Sequence, residues 1–292
     1  MRISGLTFIK NGLTLGYPIK ESIQSIAPLC DEVVINVGFD RSDLNGDDGT
    51  YQYLRDHFPE PKYKFIKSQW DPEQTRSGLV LSEQTNIALN ACQGDFCQYI
   101  QADEVIHEDD LPLIEQGVKE LEANKSYDGL LFKYLHFYGS VDAVLHTRRI
   151  YRREIRLIRN RREILSHLDA QGFRTLGGQK VRVLPTQARI FHYGWARQEK
   201  IMSNKIKVMD KLYHGKDFEK KDEFSYKRIW GLKAFKQTHP AVMKEWIAQH
   251  RNPVDVMGLP LDFKWQDVGL AVSDAVESMT GWRFGEYKNF KL

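Results

Sequence analysis

The chain has 292 residues, of which 41% are hydrophobic and 28% charged, so it can bury a sizeable core and disorder is excluded as its main state. Its formal net charge of +3 gives no reason to expect nucleic acid as a partner. Its three cysteines lack CxxC spacing, which predicts neither a disulfide framework nor a zinc site and fits a reducing, cytoplasmic setting. We expect neither a signal peptide nor a membrane span, since no run of about 18 apolar residues occurs.

The first 107 residues alternate between strand-like and helix-like stretches. Strands are predicted from β-rich apolar runs at Ile3–Ile9, 32–37, 63–66 and 97–102. Helices are predicted from apolar residues at helical spacing at 18–29, 51–58 and 80–91. This alternation implies a mostly parallel sheet with right-handed crossovers.

The pattern changes in the remainder of the chain. A helix with acids near its N-terminus is predicted at 109–121. Strands are then predicted at 129–135, 144–151, 155–158, 181–184 and 188–192, and helices at 197–212, 226–237 and 242–249. We therefore predict an α/β fold with a mixed, mainly parallel sheet flanked by helices. The simplest division is a catalytic domain over residues 1–195 and a helical C-terminal appendage over residues 196–292.

Two adjacent acids, Asp103 and Glu104, end the apolar run of the fourth predicted strand. Open α/β sheets bind ligands at the carboxyl ends of their strands. A hard cation such as Mg²⁺ or Mn²⁺ takes carboxylate oxygens and commonly shares them with substrate phosphates. The alternative is an acid that caps the next helix or pairs with an arginine. A second candidate ligand segment is the acidic loop at 38–50, which follows the second strand.

The first half of the chain resembles family 2 glycosyltransferases with the GT-A fold. The resemblance rests on segments that occur in the family's order, at residues 3–11, 21–26, 31–35, 48–50 and 101–104. It implies a Rossmann-like nucleotide-sugar-binding half over residues 1–107 and an acceptor half over residues 108–195. It also implies a nucleoside-diphosphate-sugar donor, Mn²⁺ or Mg²⁺, and inversion at the anomeric carbon.

The same resemblance assigns roles to individual residues. Asp103 falls on the last position of the family's Asp-x-Asp metal motif, and Gln101 stands where the first acid is usual. Asp103 would then need Glu104 or His192 as a further metal ligand. The donor contacts that the resemblance implies are Phe8, Asn11, Gly38, Asp48, Gln84, Asn86, Ala102 and Asp103.

The second half is similar to members that glucosylate the lipopolysaccharide core, through residues 156–159, 166–169 and 191–195 with Lys205 downstream. His192 would there be a metal or diphosphate ligand, against the alternative of a core histidine bonded to the backbone. An inverting transfer needs a carboxylate to deprotonate the acceptor hydroxyl. Asp169, in a polar turn, is our candidate for this base. The alternatives are a plain surface turn at Asp169 and a base at Asp142 or His136.

The densest charge cluster consists of eight arginines between Arg148 and Arg162. Guanidinium groups suit phosphates, so the cluster is interpreted as a site for the donor diphosphate, an anionic acceptor or an anionic membrane surface. The alternative is a solvated strand face. The third option predicts peripheral contact with the inner face of the membrane.

The resulting hypothesis is an inverting, metal-dependent glycosyltransferase. It would move a sugar from a nucleoside-diphosphate sugar to a hydroxyl acceptor such as a cell-surface glycan or glycolipid. A nucleotidyltransferase or nucleotide-sugar hydrolase would need the same metal with a different second substrate. A non-catalytic nucleotide-sugar-binding protein would keep the fold without turnover.

Overall fold

A computed structural model of the chain describes residues 1–71, 78–215, 217–218 and 223–292. Within these residues ten strands form one mixed sheet and two form a separate hairpin. The strands are β1 (Ile3–Ile9), β2 (Glu32–Phe39), β3 (Tyr63–Gln69), β4 (Phe96–Tyr99), β5 (Glu104–Ile106), β6 (Gly129–Tyr138), β7 (Ser140–Leu145), β8 (Arg153–Arg159), β9 (Ile164–His167), β10 (Gly172–Thr175), β11 (Val183–Trp195) and β12 (Leu232–Ala234). The helices are α1 (Ile19–Ile26), α2 (Thr50–His57), α3 (Leu79–Asn90), α4 (Leu111–Ala123), α5 (Glu199–His214), α6 (Lys244–His250) and α7 (Asp267–Thr280).

The first half of the sheet is parallel, in the order β3-β2-β1-β4. Strand β2 is buried along its whole length, which explains its mainly apolar sequence, since parallel strands are covered on both faces. Ile35 packs with Ile23 of α1 in one core cluster, whereas the preceding residue, Val34, packs with Leu89 of α3 in another. Helices therefore cover both faces, and the predicted α/β class is confirmed.

The second half of the sheet is mostly antiparallel. Strand β8 pairs antiparallel with both β4 and β6, whereas β11 pairs parallel with β6 and antiparallel with β5. Strand β11 joins the two strands predicted at 181–184 and 188–192, with a register shift between Pro185 and Arg189. This long strand brings residues 192–195 to the carboxyl end of β4.

Two local predictions are wrong. Residues 226–237 form no helix; instead Leu232–Ala234 is an edge strand paired with β7. The strand predicted at 144–151 is β7, which ends at Leu145. Strands β5, β9 and β10 have three or four residues each, too few for a periodic pattern to predict them.

Much of the arginine cluster joins the C-terminal residues to the sheet. Arg152 pairs with Glu277 at 2.5 Å, and Arg153 donates two hydrogen bonds to Glu286 at 2.6 and 3.0 Å. Arg149 likewise pairs with a buried acid at the start of α7. These contacts give three arginines of the cluster acidic partners in the C-terminal residues, and membrane contact through the cluster stays a prediction. Among the described residues, no helix has both the length and the apolar character needed to cross a bilayer.

A buried acid, Glu154, connects the β9–β10 hairpin to the C-terminal residues. Its Oε1 accepts a hydrogen bond from Gln171 Nε2 at 3.0 Å, and its Oε2 accepts one from Asn289 Nδ2 at 3.4 Å. Burial raises the pKa of Glu154 to about 7, although the charge of Arg156 opposes this. Unfolding returns the carboxyl to its ordinary pKa of 4.5. The folded state therefore binds more protons between these values, and stability falls as the pH rises from 4.5 to about 7.

Glu154→Gln is expected to remove this part of the pH dependence, because glutamine keeps the shape without the charge. We expect the free energy of unfolding at pH 8 to rise by roughly 1–3 kcal/mol. Urea denaturation at pH 5 and pH 8 measures this, with the exposed Glu163→Gln as the matched control. The prediction is contradicted if the free energy of unfolding falls by the same amount from pH 5 to pH 8 in the wild-type protein and in Glu154→Gln.

Candidate active site

A cavity of about 650 Å³ lies at the carboxyl ends of the parallel strands. Lys10 and Asn11 line it after β1, Trp70 after β3, and residues 101–103 after β4. Helix α5 lines the cavity along most of its length. Its volume is in the range of small-molecule sites, and open α/β sheets bind ligands at this edge.

Asp103 is the buried acid of the cavity, with 7% of its surface exposed. Its Oδ2 accepts a hydrogen bond from Lys205 Nζ at 2.9 Å, and Arg197 Nη2 lies 3.6 Å from the same oxygen. Burial alone would raise the pKa of Asp103, but the nearby charges, led by Lys205, hold it below its usual range. The site therefore combines one carboxylate with two fixed cations.

The hydrogen bond between His136 and His192 determines which ring nitrogen of His192 carries the hydrogen and which has a lone pair. His136 Nε2 lies 2.7 Å from the carbonyl oxygen of Tyr151, which only accepts, so Nε2 carries the hydrogen. Burial lowers the pKa of His136 to about 3, so its Nδ1 is bare and accepts from His192 Nδ1 at 3.0 Å. Burial also lowers the pKa of His192 to about 4, although Asp103 opposes this. His192 is therefore neutral, and its Nε2 has a free lone pair 3.7 Å from Asp103 Oδ1.

Gly194 keeps the space beside this pair open. A Cβ atom at residue 194 would lie 2.6 Å from His192 Nε2 and 2.9 Å from Asp103 Oδ2. The two donor atoms thus face a shared space that a side chain would fill. The 3.7 Å between His192 Nε2 and Asp103 Oδ1 is within the reach of one cation whose bonds are about 2.1 Å long. The described residues bring no three His, Cys, Asp or Glu side chains together, so substrate oxygens and water would complete the coordination of such a cation.

Glu104 faces away from this space. Its Oε1 and Oε2 accept hydrogen bonds from Arg156 Nη2 and Nε at 2.7 and 2.8 Å, and Tyr134 donates its hydroxyl to Oε1 at 2.8 Å. Both Glu104 and Arg156 are fully buried. This corrects the expectation of Glu104 as a metal ligand, because both of its oxygens are already taken by a structural ion pair.

The predicted donor contacts divide into three groups. Phe8, Asn11, Ala102 and Asp103 line the cavity. Gly38 lies directly under the Trp70 ring and leaves room for it, so its role is to seat a lining residue.

The other three predicted contacts hold the scaffold together. Gln84 donates to the carbonyl oxygen of Gln69 and accepts from Asn36 Nδ2 at 3.0 Å, tying α3 to the ends of β2 and β3. Asn86 exchanges hydrogen bonds with the backbone of Ser166 on β9. Asp48 accepts from the backbone nitrogens of residues 14 and 50 at 2.8 and 3.1 Å. In the structure these three side chains therefore form hydrogen bonds within the protein.

Asp169 lies at the mouth of the cavity, in the turn between β9 and β10. The flanking Leu168 and Ala170 both have positive φ, 51° and 59°, and Tyr213 of α5 donates its hydroxyl to Asp169 Oδ2 at 3.2 Å. Its rivals are placed differently. Asp142 pairs with Arg251 at the surface, and His136 lies behind His192.

Two further residues of the site were not predicted. Arg197 is buried, stacks 4.1 Å from the Tyr17 ring centroid and donates to the carbonyl oxygen of Leu15 at 3.0 Å. Asp210 of α5 lines the cavity, and its Oδ2 has no hydrogen-bond partner among the described residues. Arg197 follows the 191–195 segment directly, which is the signal that could have found it. Asp210 lies off the apolar stripe of α5, and nothing in the sequence singles it out.

Comparisons with known proteins give similarities to solved structures. No protein-family model and no curated protein matches the chain. S. aureus TarS 1-349 is 15% identical, with a TM-score of 0.40, over 75% of this chain and 67% of that one. Glucosyl-3-phosphoglycerate synthase from Mycobacterium tuberculosis, in complex with Mn²⁺, uridine diphosphate and phosphoglyceric acid, is 20% identical over 47% of this chain and 43% of that one, with a TM-score of 0.31.

The mannosyltransferase PcManGT from Pyrobaculum calidifontis, in complex with GDP-Man and Mn²⁺, is 20% identical with a TM-score of 0.32. The match covers 44% of this chain and 34% of that one. This chain thus spans less than half the length of the second and third structures.

Proposed function

We propose that the chain is an inverting, metal-dependent glycosyltransferase of the GT-A, family 2 type that uses a nucleoside-diphosphate sugar. The observation that carries the proposal is the meeting of Asp103, the bare Nε2 of His192 and Lys205 in one cavity at the carboxyl edge of the sheet. Carboxylate, imidazole and ammonium groups together suit a cation-bound diphosphate. The proposed acceptor is a hydroxyl of a cell-surface glycan or glycolipid.

The metal ligands in this proposal are Asp103 and His192. A bound cation supplies Lewis-acid stabilisation of the leaving diphosphate. The nitrogen ligand favours Mn²⁺ over Mg²⁺, because Mg²⁺ takes oxygen ligands. Lys205 and Arg197 add fixed positive charge beside the same space, and Phe8, Asn11 and Ala102 line the donor side of the cavity.

The chemical step is a displacement at the anomeric carbon. The acceptor oxygen forms a bond to that carbon while the bond from the carbon to the diphosphate oxygen breaks, and the hydroxyl proton passes to Asp169. Asp169 suits this task because it borders the cavity and holds a hydrogen bond from Tyr213 on one oxygen, Oδ2. Proton removal by a positioned carboxylate contributes to such reactions.

A screen of nucleoside-diphosphate sugars for thermal stabilisation, with Mn²⁺ and with EDTA, tests the donor assignment. A ligand at 100 times its Kd stabilises the folded state by about 2.7 kcal/mol. The stabilising donor is then incubated with sugar acceptors and the products are analysed. A glycosylated acceptor supports the proposal. Free sugar in place of a glycosylated acceptor identifies a hydrolase. Release of the sugar 1-phosphate with transfer of the nucleotidyl group identifies a nucleotidyltransferase, and binding without any product identifies a binding protein. Each of these three results would overturn the proposal.

Gly194→Ala is expected to weaken Mn²⁺-dependent donor binding by roughly 100-fold, since the added methyl group must displace His192 or Asp103 and displacements near 1 Å cost about that much. Isothermal titration of the donor with Mn²⁺ measures the effect. The matched control is Gly177→Ala, whose new methyl group meets only Thr175 Oγ1, at 3.9 Å. Equal affinities in the two variants would show that the space beside Gly194 is not the cation site.

Asp169→Asn is expected to lower kcat by roughly 100- to 10,000-fold and to leave donor affinity unchanged, because the amide cannot accept the acceptor proton. Steady-state rates with the identified donor, together with titration of that donor, measure both effects. Asp210→Asn is the informative comparison, since Asp210 also lines the cavity and its Oδ2 has no hydrogen-bond partner in the described part of the chain. If kcat falls strongly in Asp210→Asn and stays at the wild-type value in Asp169→Asn, the base is Asp210.

A further inference from the structure

A second cavity, of about 350 Å³, adjoins the 650 Å³ cavity that is proposed to bind the donor and is called the donor cavity from here on. The two share Asp169, Gln171 and Tyr213 as lining residues. The hydrogen bond from the Tyr213 hydroxyl to Asp169 Oδ2 therefore belongs to their common wall. A ligand in the second cavity would therefore lie beside the proposed base and next to the donor.

The far wall of this second cavity comes from the end of the chain. Tyr287 and Asn289 line it opposite the β9–β10 hairpin. Arg174 Nη1 donates to the carbonyl oxygen of Asn289 at 2.5 Å, and Asn289 Nδ2 donates to the buried Glu154. Gln171 Nε2 donates to the same carboxylate. Gln171 and Asn289, which line the cavity on its two sides, therefore both donate to the buried carboxylate of Glu154. These hydrogen bonds hold the two sides of the cavity in a fixed arrangement.

The lining groups indicate the chemistry of a ligand. Arg174 is a lining residue of the cavity, and a guanidinium group binds carboxylates and phosphates through several parallel donors. Tyr287 is 55% exposed and offers a phenol ring to an apolar ligand face. His167 adds a further polar ring, and Asp169 is the acid among the lining residues. A volume of 350 Å³ is at the lower end of the range for small-molecule sites, which suits one sugar ring.

We propose that the second cavity is the acceptor subsite and that it takes a sugar residue carrying a carboxylate or phosphate group. Arg174 binds the anionic group, Tyr287 packs on the ring, and the reacting hydroxyl points to Asp169. This inference rests on the proposed function for its catalytic meaning. In the transfer, the hydroxyl oxygen bonds to the anomeric carbon of the donor sugar, its proton passes to Asp169, and the nucleoside diphosphate leaves with the electron pair of the broken bond.

The test measures binding of three probes to the full chain by titration calorimetry, without nucleotide. The probes are glucuronic acid, glucose 6-phosphate and the neutral methyl glucoside. We expect at least one anionic probe to bind wild type at least 10-fold more tightly than methyl glucoside, and the stronger of the two identifies the acid group. Arg174→Gln should reduce this preference below threefold, while Arg174→Lys should retain part of it. Tyr287→Ala should weaken all three probes.

Two controls locate the binding. Arg162→Gln, at an exposed arginine of the Arg148–Arg162 cluster that does not line the second cavity, should leave every affinity unchanged. Lys205→Gln reports on anion binding in the donor cavity and should leave the preference unchanged. Thermal unfolding of each variant confirms that it is folded, and Tyr287→Ala tests the cavity without touching the Arg174 contact to the chain end.

Three results would overturn the acceptor subsite. These are equal binding of anionic and neutral probes to wild type, a preference that survives in Arg174→Gln, and a preference lost in Lys205→Gln but not in Arg174→Gln. The donor assignment fails separately. It is overturned if no nucleoside-diphosphate sugar stabilises the wild-type protein, a result that leaves the measured preference for anionic sugars intact.

Discussion

Asp103→Asn is expected to abolish the Mn²⁺ dependence of donor binding and to weaken donor binding in Mn²⁺ by roughly 100-fold or more, beyond the effect usual for residues that only orient a ligand. The variant removes the carboxylate from the proposed cation site and leaves His192 as its one remaining protein ligand. It also leaves Lys205 and Arg197 without their counter-charge. Donor binding in EDTA should therefore be retained, because the uncompensated cations still attract a diphosphate.

Titration of the donor with Mn²⁺ and with EDTA measures both arms of this prediction. The matched control is Asp142→Asn, which removes an aspartate paired with Arg251 at the surface and should keep the full Mn²⁺ effect. An Asp103→Asn protein whose donor affinity still rises on adding Mn²⁺ would show that the cation binds elsewhere. Loss of binding in EDTA as well would show that Lys205 and Arg197 do not hold the diphosphate.

The parallel half of the fold and the edge at Asp103 were predictable from sequence because local pattern determines them. Strand β2 is buried along its whole length, and its short run rich in β-branched valine and isoleucine, ended by a glycine, favours a strand over a helix. Asp103 follows β4 within a few residues, and the carboxyl end of a parallel strand is a ligand-binding edge in this class of fold. Both inferences need only neighbouring residues.

The remainder depends on contacts between distant residues. Glu104 pairs with Arg156, which is 52 residues away, and the second cavity needs Tyr287 beside a hairpin that ends at residue 175. No periodicity encodes such meetings. The same holds for Gln84 and Asn86, whose amides suit a ligand as well as a neighbouring strand, so residue type alone does not separate the two uses.

The adjacent acids show this division most clearly. Asp103 and Glu104 differ by one position at the start of β5, and successive side chains of a strand point to opposite faces. One carboxylate therefore enters the cavity and the other enters the core. The sequence alone does not predict which of the two acids enters the cavity and which enters the core, because this depends on the register between β5 and β11.

Glu104→Gln is expected to destabilise the fold by about 3–5 kcal/mol, the cost of leaving one charge of a buried pair without its partner. Glutamine keeps the shape of the side chain and still accepts the hydrogen bond from Tyr134. The expected loss of stability therefore comes from leaving the buried charge of Arg156 without its counter-charge. The double variant Glu104→Gln/Arg156→Met should regain much of the lost stability, since it removes the stranded guanidinium. Urea denaturation at pH 7 measures all three proteins. Mn²⁺-dependent donor binding per folded molecule should be unchanged in Glu104→Gln, and a stable variant that has lost this binding would restore Glu104 to the metal site.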